Sequence, residues 1–196
     1  MKVKRSQVGL SFWLQWVLAS TVGMFVGFFI GFLLIAIVIN DVLGERLAFS
    51  VFGIVLGIWV GILQWLVLRR CVSRAGWWVL ASAAGGYGIL QAGFSGFSES
   101  LDSFGALLSW IGIVALGGAV TGTLQLLILR RQVSRAGWWV LASTVGWGLS
   151  VTVARAFPWG VDDADALWAL VVTGAVLGLV TGGALVWMLR QTVSEV

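Results

Sequence analysis

Six stretches of this chain stay apolar for about 20 residues or more, the length a helix needs to cross the hydrocarbon core of a bilayer. They cover 10–39, 47–68, 75–94, 104–129, 136–156 and 166–189, with charged or turn-rich segments between them. A soluble domain carries about 25% charged residues, because its surface faces water. Here 10% of 196 residues are charged and 60% are hydrophobic, which predicts an all-α integral membrane protein with one transmembrane domain over 1–196. Lys2, Lys4 and Arg5 precede the first run as they would in a signal peptide. That run is far longer than a signal core of about 7–15 residues, and its Trp16–Ser20 segment recurs later, so a retained helix is expected.

The charges give an orientation. Ten of the twelve basic residues lie before the first run (Lys2, Lys4, Arg5), after the second and fourth (Arg69, Arg70, Arg74; Arg130, Arg131, Arg135), or after the sixth (Arg190). Seven of the eight acidic residues lie in the other loops, at Asp41, Glu45, Glu99, Asp102, Asp162, Asp163 and Asp165. Basic loops stay on the cytoplasmic side during insertion. Both termini are therefore expected in the cytoplasm, with the chain in a plasma membrane. The basic balance then reflects topology, and no nucleic-acid partner is implied.

The runs also repeat. Gly61-Ile62-Leu63-Gln64-Trp65-Leu66-Val67-Leu68-Arg69-Arg70 is echoed 61 residues later over Gly122–Arg131, and more weakly after a further 60 over Gly182–Gln191. Ser73-Arg74-Ala75-Gly76-Trp77-Trp78-Val79-Leu80-Ala81-Ser82 returns as Ser134–Ser143, with a trace at Trp16–Ser20. Each period holds two spans, so the copies share one orientation. Three parallel two-helix repeats, about 6–72, 73–133 and 134–196, closing as a pseudo-threefold six-helix bundle, are the predicted architecture. Mitochondrial carriers also use three helix pairs, but their Pro-x-acidic-x-x-basic signature is absent.

The combination LQWLVLRR, VSRAGWWVLAS and a following glycine resembles uncharacterised bacterial multispanning membrane proteins with tandem Trp- and Gly-rich helix pairs. The resemblance covers nearly the whole chain. It implies this architecture and a bacterial inner or other internal membrane, and it carries no activity. Leu185 departs from the pattern where the first two copies have glutamine.

Small residues recur every four positions, at Gly23, Gly27 and Gly31, at Gly53, Gly57 and Gly61, at Gly118 and Gly122, and at Gly174, Gly178 and Gly182. Such a stripe lets helix backbones approach closely. Packing is preferred here over a glycine-lined path. The thirteen tryptophans read mainly as belts at the two interfaces, with Trp13, Trp16, Trp65, Trp77, Trp78, Trp138, Trp139 and Trp187 at the cytoplasmic ends. Trp59 and Trp147 fall deeper and must pair their N–H or face a cavity.

Polar groups within the spans are the best functional pointers. Gln15, Gln64 and Gln125 fall in the cytoplasmic third and Gln91 near the outer end of the third span. If they face inward they serve either as glue between helices or as a polar lining. Arg155 ends the fifth span, where it snorkels outward beside Asp162, Asp163 and Asp165. That acidic cluster resembles magnesium-pyrophosphate sites, but a second cluster is missing and a solvated loop is preferred. Cys71, next to the membrane, is replaced by Gln132 in the second copy, so an ordinary juxtamembrane position is preferred over an acylation site.

Chemistry is limited by what is missing. The sequence has no histidine, one cysteine and no intraspan aspartate pair. No metal site and no enzyme activity are expected, and the sequence names no particular cofactor. The expected role is a non-catalytic accessory or scaffold subunit, or a binder of lipid or another hydrophobic small molecule. Candidate partners are membrane lipid, a membrane protein or a second copy. The alternative is a small-solute channel or facilitator with a Gln-lined interior.

Overall fold

A computed structural model of the chain describes residues 8–36, 44–96, 104–154 and 163–194. Among these the regular structure is helical, with α1 Leu10–Leu34, α2 Gly44–Leu68, α3 Trp77–Gly96, α4 Phe104–Leu129, α5 Trp138–Ala154 and α6 Asp163–Ser194. Four segments are long and apolar enough to cross a membrane: Leu10–Leu34, Leu47–Leu68, Leu107–Leu129 and Leu167–Thr192. α3 and α5 lie outside that set, α5 being apolar but 17 residues long.

Each helix packs on its neighbours in the chain, and α6 returns to pack on α1, so the six form a closed ring. Large apolar side chains cover its outside, among them Leu10, Leu18, Leu80, Leu116 and Leu141. Helices apolar on all faces suit an environment that is itself apolar.

Glycine sets how closely the ring closes. A Cβ on Gly57 of α2 would fall on the Ser82 carbonyl oxygen of α3, with Ala83 Cα at 2.8 Å. One on Gly61 would meet Val79 Cα at 2.9 Å. The same happens 61 residues on, where Gly118 and Gly122 of α4 would strike Ser143 and Val140 of α5 at 2.8 and 3.1 Å. It happens again in α6, where Gly178 would meet Val17 Cα and Gly182 would meet Trp16, both at 2.8 Å. Within the first hairpin Gly23 and Gly27 would meet Val60 and Leu56 backbone at 2.7 and 3.0 Å. These contacts run in opposite directions along each pair, so neighbouring helices are antiparallel.

Consequently the α2–α3 loop, the α4–α5 loop, the end of α6 and the start of α1 share one end of the ring. Side chains tie them together. Ser73 N–H and Oγ both donate to Gln132 Oε1 at 2.7 and 2.8 Å, and Gln132 Nε2 donates back to the Ser73 carbonyl at 3.0 Å. Ser134 N–H donates to Thr192 Oγ1 at 2.8 Å, and Arg190 Nε to the Val8 carbonyl at 3.2 Å. Arg74 and Arg135, at matching places in the two loops, both turn the chain in the left-handed region, with φ of 58° and 57°.

Gly57→Ala is expected to cost about 1–3 kcal/mol, since backbone and not a yielding side chain meets the new methyl. Gly112, also within a helix, has nothing within 4 Å of a Cβ. Gly112→Ala should be neutral or stabilising by up to about 1 kcal/mol through helix propensity. Thermal unfolding of both variants in one detergent checks this, and equal shifts would remove the close approach as the cause.

Candidate functional site

Three indole rings meet where the ring of helices has its middle. Trp16 of α1, Trp78 of α3 and Trp139 of α5 are 0%, 0% and 1% exposed. Their centroids lie 5.8 Å (Trp16–Trp78), 6.0 Å (Trp16–Trp139) and 5.2 Å (Trp78–Trp139) apart, with interplanar angles of 77°, 86° and 59°. Edge-to-face rings at such distances attract through their quadrupoles. α1, α3 and α5 are not neighbours in the ring, so their side chains can touch only across its axis. Leu68, Leu129 and Leu185, each fully buried, pack around the triad.

Local geometry decides which tryptophan points inward. Successive residues of a helix stand about 100° apart. In each Trp-Trp pair the second ring therefore faces the axis while the first looks outward, Trp77 being 64% and Trp138 54% exposed. Trp77, Trp138 and Trp187 are exposed, whereas Trp16, Trp78 and Trp139, also expected in the belt, are enclosed by protein. A position at the end of a span fixes depth, and says nothing of which way the ring faces.

A buried indole N–H needs an acceptor. Trp78 Nε1 donates to Gln64 Oε1 of α2 at 2.9 Å, and Trp139 Nε1 to Gln125 Oε1 of α4 at 2.9 Å. Since the indole can only donate, each amide must present its oxygen there and its NH2 on the other side. Gln64 Nε2 accordingly donates to Ser20 Oγ of α1 at 3.0 Å, and Gln125 Nε2 to Ser82 Oγ of α3 at 3.1 Å. Ser20 passes its own proton to the Trp16 carbonyl at 2.9 Å. Each glutamine thus clamps the two helices that flank its own.

Around Trp16 the N–H is satisfied differently. Leu185 stands in the glutamine position, and Trp16 Nε1 donates instead to Thr181 Oγ1, one turn earlier on α6, at 3.1 Å. Ser143, which matches Ser20 and Ser82, receives no amide from Leu185. Among the described residues, every fully enclosed side-chain nitrogen and oxygen has a partner.

Beside the triad lies a cavity of about 40 Å³, whose polar lining comes from Gln64, Gln125, Ser82, Ser143, Thr121 and Thr181, with Trp147 closing one side. That is room for water, which needs about 10–15 Å³ by the same measure, and for little more.

The other candidates are dispersed. Gln15 is half-buried at the arginine-rich end, donating to Ser11 Oγ at 3.3 Å and accepting from Arg70 Nη1 at 2.8 Å, so it does not join Gln64 and Gln125. Trp59 is half-buried on α2 away from the cavity. The side chain of Gln91 and the whole of Arg155 lie outside the described residues. Ser20, Ser82, Ser143 and Thr181 were not singled out as candidates. The signal for the three serines was available in the Trp-x-x-x-Ser spacing that recurs at Trp16, Trp78 and Trp139, and Thr181 has no such motif. Cys71 packs against the triad's apolar surroundings, and burial pushes its thiol above the ordinary range although the Arg70 guanidinium pulls it down.

Comparison with family models, with curated proteins and with solved structures returned no match to this chain.

Gln125→Leu leaves the Trp139 N–H buried without an acceptor, and should cost about 1–3 kcal/mol. Leu185→Gln, of similar volume, offers an amide to Ser143 and should be neutral or stabilising. Unfolding of the two variants side by side tests whether the amide clamp matters; equal losses would assign the effect to volume alone. Cys71 should alkylate more slowly at pH 7.5 than a free thiol, because less of it is thiolate. Arg70→Gln removes the cation that favours the thiolate and should slow it further.

Proposed function

We propose that the chain is a non-catalytic, six-span protein of a bacterial inner or other internal membrane. It acts as an accessory or scaffold subunit, or as a holder of lipid or another hydrophobic molecule. Its helices form three parallel two-helix repeats around a pseudo-threefold axis, with both termini in the cytoplasm. Seven arginines at one end of the ring support that orientation. The recurrence of the glycine contacts and of the glutamine clamp at intervals of 60 or 61 residues supports the repeat. α3 and α5 also cross in this reading. α2, α4 and α6 run in the same direction, and the chain must return between them.

The observation that carries the non-transporting role is the closed axis. Three fully buried indole rings fill it, and the amides nearest to it are bonded at both ends. A solute path would need those bonds to break and the rings to part together. Outside the axis, the molecule offers an apolar belt suited to lipid and to partner helices.

Purified protein reconstituted into liposomes should pass water, glycerol and small ions no faster than empty liposomes. Mass spectrometry of the protein taken from its native membrane in mild detergent should show a stoichiometric lipid or protein companion. Flux in wild type that Gln125→Leu abolishes would replace this reading with the facilitator. Cysteines placed at residues 2 and 195 should react only with membrane-permeant thiol reagents in intact cells.

A further inference from the structure

The arginine-rich end holds a second opening of another kind. Between α3 and α4 lies an open groove of about 430 Å³, within the size range of small-molecule sites. Arg74 and Arg131 stand at its mouth with Trp77, and Leu80, Leu124 and Leu127 line its apolar run along the helices. Neither guanidinium has a hydrogen bond, an ion pair or a ring contact among the described residues.

The chain supplies its own comparison, since the repeat places matching residue positions in each hairpin. In α1–α2, Arg70 matches Arg131 and Gln15 matches Trp77, and Arg70 donates to Gln15 at 2.8 Å. In α5–α6, Arg135 matches Arg74 and Trp187 matches Leu127. There Arg135 sits 5.8 Å from the Trp187 ring, and Trp138 packs edge-on against the same ring at 6.2 Å. Two hairpins thus occupy their arginines with their own side chains. The middle hairpin has leucine where the filling tryptophan would be, and among the described residues neither Arg74 nor Arg131 has a partner.

We infer that the α3–α4 groove is a binding site for one anionic glycerophospholipid, with its phosphate on Arg74 and Arg131 and an acyl chain along Leu80, Leu124 and Leu127. Paired guanidiniums grip a phosphate through charge-assisted, bidentate hydrogen bonds. Basic pockets between membrane helices on the cytoplasmic side suit anionic headgroups. Trp77, 64% exposed, fits the boundary between headgroup and chain. The Gln132 side chain is consumed by three bonds to Ser73, and it holds the two loops, and hence the two arginines, in register. This site rests on the membrane reading above and names the lipid that such a protein would hold.

The test is native mass spectrometry of the intact protein in detergent, titrated with phosphatidylglycerol, with phosphatidylethanolamine of the same chains, and with inorganic phosphate. Wild type should retain one phosphatidylglycerol in preference to phosphatidylethanolamine and hold no inorganic phosphate. R74Q/R131Q should weaken that retention at least about tenfold. R69Q/R130Q, which removes the same charge at the same end outside the groove, should leave it intact. L127W copies the filled third hairpin without altering charge, and should displace the lipid while unfolding at the wild-type temperature. Equal losses in both arginine pairs, or equal retention of the two lipids, would overturn the site and reduce it to diffuse attraction. Such a result leaves the scaffold reading standing. Solute flux by wild type would instead overturn the scaffold reading, whatever the lipid count.

Discussion

The donor-only chemistry of indole nitrogen constrains the middle of this protein more than any other interaction. Three rings meeting on the axis bury three N–H groups, each of which needs an acceptor. Two are answered by glutamines that reach from the intervening helices, and the third by a threonine on α6. Because an amide has two ends, each glutamine also takes hold of a serine on the helix behind it. The network is therefore directional. It links α1 through α5 in sequence, so the rotation of each helix about its own axis is tied to that of the next. Apolar packing alone would leave those rotations soft, since lipid is as apolar as the helix faces.

Close approach makes this network reachable. A glutamine side chain spans only a short gap, and the glycines of α2, α4 and α6 bring the adjacent backbone near enough for it to bridge. Gly57 and Gly61 sit about two turns and one turn before Gln64, and Gly118 and Gly122 precede Gln125 in the same way. The glycine face and the amide are thus parts of one device. The small residues set the distance, and the polar residue sets the rotation.

Much of this was legible in the sequence, though unevenly. Hydropathy located the helices to within a few residues, because apolar length has one physical cause in a membrane protein. The described α6 runs past the expected residue 189 to Ser194, where Arg190 bonds to the Val8 carbonyl and Thr192 accepts from Ser134 N–H. Facing was harder. Trp16, Trp78 and Trp139 share their depth with Trp77 and Trp138, and hydropathy cannot separate neighbours that differ only by rotation. Gln15 and Gln64 likewise lie at similar depth, yet one meets Arg70 at the edge and the other meets Trp78 inside. Separating them needs knowledge of what the adjoining helix presents, and that is a tertiary fact.

Ring closure has a consequence for biogenesis. Five of the six neighbouring pairs join helices consecutive in the chain, and these can pair as soon as they emerge. The sixth joins α1 to α6, where Trp16 reaches Thr181 across 165 positions of sequence. Until α6 is made, the face of α1 that receives its glycines and the Gly146 edge of α5 both stand uncovered. A growing chain of this kind is an unfinished circle. Its final segment acts as a keystone, and losing it would leave two adhesive edges that another copy of the same chain could fill.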